Sequence, residues 1–256
     1  MTPIIKPALF VFCLVVAACG QAGARDAQLT PGRIVEISGP LSLRLAIGEE
    51  AVEIRLASLV SPVPERTQAF LTDLLSSPQV DVEFLNETTD RYQRRLGTIW
   101  LEAGGERTDL HTLLLAEGLA WLYPYPDAID HLPAWRLAEE VGRTSGAGIW
   151  GEPEFRVRDV DPDMLMQDVG TIQIVAGRVT DAAVLGNGRV YLNFGSNYRT
   201  DFTIRIDAEL AAAFTARWGD LAALEQRRIR VRGVIRDENG PMIIPPNPDR
   251  MEVLED

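Results

Sequence analysis

Three short segments near the start of this chain alternate apolar and polar residues with a period of two. They are Gly32–Ile37, Leu41–Leu45 and Ala51–Leu56. Because successive side chains of a β-strand point to opposite faces, each segment predicts a half-buried strand. Residues 31–59 are therefore expected to be a run of strands.

The following residues mix helical and strand patterns. Glu65–Ser76 has helical spacing that places its large apolar residues on one side. Two further strands are predicted at Val80–Leu85 and Leu96–Leu101. Two further helices are predicted at Asp109–Leu119, with Gly118 as its C-cap, and at Leu132–Arg143.

Two motifs carry a resemblance to a known family. Asp90-Arg91-Tyr92-Gln93-Arg94 leads into the predicted strand at 96–101, and Gly118-Leu119-Ala120 ends the helix that follows. The chain resembles the staphylococcal (micrococcal) nuclease family over about residues 31–151. That resemblance implies a β-rich α+β fold, in which a five-stranded OB-type barrel carries three helices.

The family's chemistry assigns roles to particular residues of this chain. The resemblance implies that Arg55 and Arg94 stabilise charge on phosphoryl oxygens, and that Glu65 positions or deprotonates the attacking water. These three are the candidate catalytic residues. Surface or ion-paired residues are the alternative interpretation of the arginines. A carboxylate stabilised by the helix dipole is the alternative for Glu65.

The calcium ligands that the resemblance implies are not retained. Ser38-Gly39-Pro40-Leu41 stands where the family has Asp-Gly-Asp-Thr. An alignment on Pro62 puts Val60 at the second calcium aspartate and Val63 at the glutamate. An alignment on Pro64-Glu65 restores the glutamate but puts Pro62 at the aspartate. Since Ca²⁺ takes ~6–8 oxygen ligands, we expect no metal and no cofactor.

The N-terminus has the features of a targeting segment. Lys6 precedes an apolar run from Pro7 to Ala18, which is too short for a comfortable membrane span. Val16-Ala17-Ala18-Cys19 resembles a bacterial lipobox, so we expect a signal peptide over 1–18, a lipid on Cys19 and a tether over 19–30. The membrane is then a partner, on the periplasmic side of a Gram-negative outer membrane. An ordinary signal peptide, giving a soluble periplasmic or secreted protein, is the alternative.

A second domain is predicted after a linker at 152–167, which is rich in Asp and Pro. Residues 168–256 contain four predicted strands and a helix at 209–218, and resemble a small OB-like module. Arg228, Arg230 and Arg232 alternate with apolar residues, which puts three cations on one strand face. They are candidates for anion binding, or they pair with neighbouring acids.

The charge of the chain bears on its partners. The formal net charge is -12, which disfavours nonspecific nucleic-acid binding because that binding depends on Lys and Arg neutralising phosphates. The leading hypothesis is a non-catalytic binding protein of the cell envelope, with an envelope protein as a further candidate partner. The alternatives are an active phosphodiesterase with displaced carboxylates and a structural assembly factor.

Overall fold

A computed structural model describes residues 28–75, 79–103 and 106–255. The chain divides into two compact units between Phe155 and Arg156. The predicted signal peptide and Cys19 lie outside the described residues. The predicted tether ends earlier than Thr30, because Leu29 and Thr30 pair with Glu83 and Val82 in a sheet.

The first unit contains eight strands and three α-helices within the described residues. The strands are β1 (Leu29–Gly39), β2 (Ser42–Ile47), β3 (Glu50–Leu56), β4 (Leu59–Val60), β5 (Gln79–Thr89), β6 (Arg95–Ala103), β7 (Glu106–Asp109) and β8 (Trp121–Leu122). The helices are α1 (Pro64–Leu74), α2 (Leu110–Ala116) and α3 (Leu132–Ser145). Three 3₁₀ turns, at Pro126–His131, Gly148–Gly151 and Pro153–Phe155, complete the unit.

Five of these strands close into a barrel. The strand order is β3-β2-β1-β5-β6, and β3 also pairs with β6, so the sheet returns on itself. This last pairing is parallel and places Ile54 beside Arg95 and Arg55 beside Leu96. β7 extends β6 outside the closed ring, and β4 pairs with β8. The predicted five-stranded OB-type barrel with three helices is confirmed.

The alternating strand residues fill the core as predicted. Leu43 and Leu45 of β2, and Ile54 and Leu56 of β3, are fully buried. Gly118 follows α2 with φ +61, the left-handed conformation common just past helix ends. A Cβ there would lie 2.1 Å from the carbonyl oxygen of Ala147, so the position requires glycine.

The second unit is β-rich. Its strands are β9 (Ile172–Arg178), β10 (Asp181–Val184), β11 (Val190–Asn193), β12 (Thr203–Ile206), β13 (Arg228–Val234), β14 (Arg236–Asp237), β15 (Pro241–Ile243) and β16 (Met251–Leu254). They form one sheet in the order β10-β11-β12-β15-β14 and another in the order β16-β13-β9. Its helices are α4 (Pro162–Gln167) and α5 (Ala211–Trp218). No helix in the described parts of the chain is long and apolar enough to cross a bilayer.

Most of the segment predicted to be a linker belongs to the second unit. Within residues 152–167, Asp161 caps α4 by accepting the backbone N–H groups of Asp163 and Met164. Leu165 is fully buried in the core of that unit, and Arg158 pairs with Asp168 at 2.8 Å. Asp161 and Pro162 therefore start a short helix within the segment that was predicted to be a linker.

Candidate functional site

A cleft of about 450 Å³ opens on the barrel beside the β1–β2 turn. Arg55 and Arg94 meet there because barrel closure places β3 next to the start of β6. The lining residues come from the β1–β2 turn, β2, β3, β4 and the turn before β6. They are Ser38, Gly39, Pro40, Leu41, Ser42, Glu53, Arg55, Val60, Ser61 and Arg94.

Main-chain carbonyls hold Arg55 in place. Its Nη1 donates to the carbonyls of Leu41 (3.2 Å) and Leu56 (2.7 Å), and its Nη2 donates to that of Leu59 (2.9 Å). These bonds use three of the five guanidinium N–H groups. Burial, and next the charge of Arg94, lower the pKa of Arg55 to about 10, so it stays charged at neutral pH. Two guanidinium groups that repel each other across a cleft are suited to hold an anion between them.

The turn from Asp90 to Arg94 fixes the second arginine. The carboxylate of Asp90 accepts hydrogen bonds from the backbone N–H groups of Tyr92 (2.8 Å) and Arg94 (3.0 Å) and from Arg94 Nε (2.8 Å). Arg94 Nη1 donates to Ser42 Oγ at 2.8 Å. Partial burial raises the pKa of Asp90, but the hydrogen bonds from Arg94 and Tyr92 outweigh it and hold that pKa below its usual value. Asp90 is thus ionised and orients Arg94.

Glu53 brings a carboxylate to the same cleft. It lies two residues before Arg55 on β3, so both side chains leave the same face of the strand. Ser38 Oγ donates to Glu53 Oε1. Glu53 Oε2 lies 3.4 Å from Arg44 Nε, an ion-pair distance, but accepts no hydrogen bond. Arg44 also pairs with Glu36 at 2.9 Å, so one cation serves two carboxylates.

A model of the staphylococcal nuclease homologue family matches residues 51–152. A micrococcal nuclease of Shigella flexneri is 27% identical over 134 residues, which are 48% of this chain and 74% of that protein. Residues 51–152 form a staphylococcal nuclease-like domain. Protein ParB of Escherichia coli is 26% identical over 161 residues, which are 58% of this chain and 85% of that protein. β1 and β2 of the barrel precede the range that the family model matches.

The residues of the cleft do not fit the calcium ion that the nuclease family implies. Pro40 and Val60 line the cleft at the two positions where aspartates are expected, and neither side chain carries an oxygen. Glu53 is the carboxylate among the lining residues, and Ser38 and Ser61 add neutral hydroxyls. Among the residues that the structure describes, no three His, Cys, Asp or Glu side chains are grouped to hold a metal. A Ca²⁺ site needs more oxygen donors than this.

Glu65 does not line the cleft that Arg55 and Arg94 share. It is exposed in the first turn of α1. Val63, at the N-cap of α1, is buried. Of the two residues that the alignments place at the second aspartate, Val60 lines the cleft and Pro62 does not. The geometry therefore favours the alignment on Pro62, in which Val63 replaces the glutamate.

The three arginines of β13 lie in the second unit. Arg230 is opposite Glu252 of β16, with its Nη1 3.7 Å from that carboxylate. Arg232 is buried and its Nη2 donates to Glu252 Oε1 at 2.6 Å. Arg228 is exposed. For Arg230 and Arg232, pairing with a neighbouring acid is the interpretation that fits this geometry.

Sequence reasoning missed Glu53. Its signal was present in Glu53-Ile54-Arg55, because residues two apart on a strand share a face. Once Arg55 is placed in a cleft, Glu53 is expected beside it. The family motifs give no indication of Glu53, since their carboxylates lie at other positions.

Proposed function

We propose that this protein is a secreted, lipid-anchored protein of the bacterial envelope whose nuclease-like domain binds a phosphate-bearing group without hydrolysing it. One observation carries this proposal. Arg55 and Arg94 line a cleft together with Pro40 and Val60, the residues that the family resemblance aligns with the calcium aspartates. The groups that bind a phosphate are kept, while the groups that would hold the metal are replaced.

The donors that remain on the two arginines are suited to phosphate oxygens. The three carbonyl bonds of Arg55 use both Nη1–H groups and one Nη2–H, which leaves its Nε–H and its second Nη2–H. Arg94 uses its Nε, one Nη1–H and one Nη2–H on Asp90 and Ser42, which leaves one N–H on each terminal nitrogen. Such charge-assisted hydrogen bonds are the strong class, and guanidinium groups match phosphate geometry.

Hydrolysis needs more than charge stabilisation. In a metal-dependent phosphodiesterase the ion helps to generate the nucleophile and bridges to the phosphate. Loss of one electrostatic stabiliser costs about 10²–10³ in rate. Here two metal ligands are replaced, and Glu65 does not line the cleft. The net charge of -12 also works against capture of a long polyanion.

An active phosphodiesterase with displaced carboxylates is the second candidate. Glu53 favours it, because it is a carboxylate in the same cleft as both arginines. In that case Glu53 would act as the general base or as a metal ligand. One assay distinguishes the two candidate functions, because a protein with the second function cleaves a phosphodiester and a protein with the first does not.

The test is a cleavage assay on the purified full chain with a fluorescent single-stranded oligonucleotide and increasing Ca²⁺. We expect no cleavage above the protein-free control at any Ca²⁺ concentration. Cleavage that rises with Ca²⁺ and disappears in Arg94→Ala would overturn the non-catalytic proposal. A further loss in Glu53→Gln but not in Glu65→Gln would then identify Glu53 as the working carboxylate.

The anchor is tested separately. The apolar run that ends in Val16-Ala17-Ala18-Cys19 supports acylation of Cys19, the residue that would become the mature N-terminus. We expect Cys19→Ala to move the protein from the membrane fraction to the soluble fraction, whereas Cys13→Ala leaves it on the membrane. Native protein that is wholly soluble, with an unmodified N-terminus beyond residue 19, would rule out the anchor.

A further inference from the structure

We infer that the ligand of the cleft is a zwitterion, namely a phosphate ester that carries a primary amine close to the phosphate, of the phosphoethanolamine class. This inference rests on the proposed function, because it takes phosphate binding by Arg55 and Arg94 as given. It adds a second recognition group, Glu53, and it specifies the chemistry of the ligand that Glu53 contacts.

Glu53, Arg55 and Arg94 are the charged residues that line the cleft, and with their ion-pair partners they form two groups whose charges sum to zero. The members are Arg44, Arg55 and Arg94 against Glu36, Glu53 and Asp90. A ligand with negative charge alone would pair with Arg55 and Arg94 and would leave Glu53 without a ligand contact. A ligand with both charges matches both ends of the cleft.

The anionic end is centred on Glu53. Its group contains two carboxylates and one guanidinium, since Arg44 lies 2.9 Å from Glu36 and 3.4 Å from Glu53. That group keeps a net charge of about -1 by this count. Glu53 Oε2 is buried and accepts no hydrogen bond, and Arg44 Nε lies 3.4 Å from it. The Glu53 side chain as a whole is 25% exposed and lines the cleft, so an ammonium group in the cleft can approach this carboxylate with three donors and a positive charge.

The cationic end is centred on Arg55 and Arg94. Asp90 balances one of the two guanidinium charges, so this end keeps a net charge of about +1. Arg55 and Glu53 are two residues apart on β3, which is a Cα separation of about 6.6 Å along a strand. A small molecule whose phosphate and amine lie on neighbouring carbons fits this separation, given the length of the two side chains and the cleft volume of about 450 Å³.

Phosphoethanolamine chemistry occurs in two forms. It is the headgroup of a phospholipid, and it is also a free soluble phosphate ester. Both present the same phosphate and the same amine to the cleft. The experiment therefore begins with small probes that isolate the amine, and then compares vesicles.

The first measurement is calorimetric titration of the full chain, in the presence of a chelator, with ethyl phosphate and with O-phosphoethanolamine. These probes differ in the amine alone. We expect O-phosphoethanolamine to bind about fivefold more tightly, the size of a partly exposed ion pair. Glu53→Gln should abolish this preference, while Glu50→Gln, which removes an exposed carboxylate from the same strand, should keep it. Cooperative thermal unfolding of each variant verifies that it is folded.

The outcomes separate this inference from the proposed function. If both probes bind the wild type equally, or if the preference persists in Glu53→Gln, the zwitterion inference is overturned while phosphate binding stands. If neither probe binds, phosphate binding itself is contradicted, and the proposed function is overturned together with the zwitterion inference. Arg94→Gln should weaken the binding of both probes, and it therefore reports on the phosphate end alone.

The second measurement assigns the source of the ligand. The Cys19→Ala chain, which lacks the proposed anchor, is mixed with phosphatidylethanolamine vesicles and with phosphatidylglycerol vesicles. Capture by the former that is lost in Glu53→Gln supports the inference and assigns the lipid headgroup. A preference for free O-phosphoethanolamine without capture supports it and assigns the soluble ester. Equal capture by both vesicle types would contradict recognition of the amine.

Discussion

Two arginines of equal charge have different tasks in this cleft. Arg55 donates to three carbonyls, those of Leu41, Leu56 and Leu59, and so joins the chain around β2, β3 and β4. Arg94 donates to side chains, namely Asp90 and Ser42, on one side of the cleft. The sequence presents both as equivalent phosphate ligands. The structure adds a supporting role to Arg55, because it donates to three carbonyls from different parts of the chain.

This difference predicts unequal costs of removal. Arg55→Gln removes three hydrogen bonds to main-chain carbonyls and should lower the free energy of unfolding by about 3 kcal/mol. Arg94→Gln should cost about 1 kcal/mol or less, since its ion pair with Asp90 is partly exposed. Arg33→Gln, an exposed position on β1, serves as the control. Urea unfolding measures all three, and equal losses in the two cleft variants would contradict the supporting role.

The environments of the two histidines shift their pKa values in opposite directions. His111 is buried, with Nε2–H donating to the carbonyl of Ala57 (2.6 Å) and Nδ1 accepting from the hydroxyl of Thr98 (2.9 Å). Burial lowers the pKa of His111 to about 4. Burial also acts to lower the pKa of His131, but the hydrogen bond and charge of Glu83 raise it above its usual value.

These pKa shifts predict that His111 and His131 titrate in separate pH ranges. The fold favours neutral His111, so its contribution to stability is present above about pH 6.5 and is lost as the pH falls toward 4. The contribution of His131 is present below its unfolded pKa and is lost as the pH rises through its raised folded pKa. Because the chain has two histidines, imidazole NMR resolves both. Two overlapping titrations near pH 6.5 would show that these environments are wrong.

At the scale of elements, periodicity determined which predictions succeeded. The strands with a clear period of two, such as β2 and β3, lie where the sequence placed them. Strands of two to four residues, such as β4, β7, β8 and β14, are too short to show a period. Helix α4 had a signal in Asp161-Pro162, a cap followed by a first-turn proline, but its Asp and Pro content was interpreted as a linker.

The candidate site was predictable only in part, because local sequence patterns do not specify which strands pair. Arg55 and Arg94 are far apart in sequence and were placed together through the family resemblance alone. Their meeting depends on the parallel β3–β6 pairing, which no local pattern specifies. Glu53 had a local signal, whereas its sharing of Arg44 with Glu36 depends on the register of three strands.

Gly118 gives a prediction about the end of helix α2. Gly118→Ala must adopt φ +61 and must also place its Cβ 2.1 Å from the carbonyl oxygen of Ala147. Gly48→Ala is a matched control, since φ is +60 there and no atom lies within 4 Å of the added Cβ. The control should cost about 1 kcal/mol from its backbone conformation, and Gly118→Ala should cost at least about 3 kcal/mol. Similar losses in urea unfolding would mean that the close approach to Ala147 is not real.

At the scale of the whole molecule, the residues that the structure describes form two hydrophobic cores. One core belongs to the barrel and its helices, with Leu43, Leu114 and Trp135 among its fully buried members. The other belongs to the second unit, with Phe202, Phe214 and Val231 among its fully buried members. Each unit thus has the buried apolar surface that an independently folding domain requires.

This organisation predicts two folding units. Fragments separated between Phe155 and Arg156 should each unfold cooperatively, as measured by circular dichroism during heating. A cut after Gln167, at the end of the predicted linker, should destabilise the second fragment, because that fragment loses Leu165 and Arg158. If the fragment that begins at Arg156 is unfolded, the second core does not suffice by itself.

The central claim is that the cleft binds phosphate through Arg55 and Arg94 without a metal ion. The most direct measurement is a calorimetric titration of the full chain with ethyl phosphate, first with a chelator and then with excess Ca²⁺. We expect binding in both conditions with the same affinity, and weaker binding in Arg94→Gln. An affinity that appears only with Ca²⁺, or that rises with Ca²⁺ concentration, would contradict the account and would mean that Glu53 and its neighbours hold the metal.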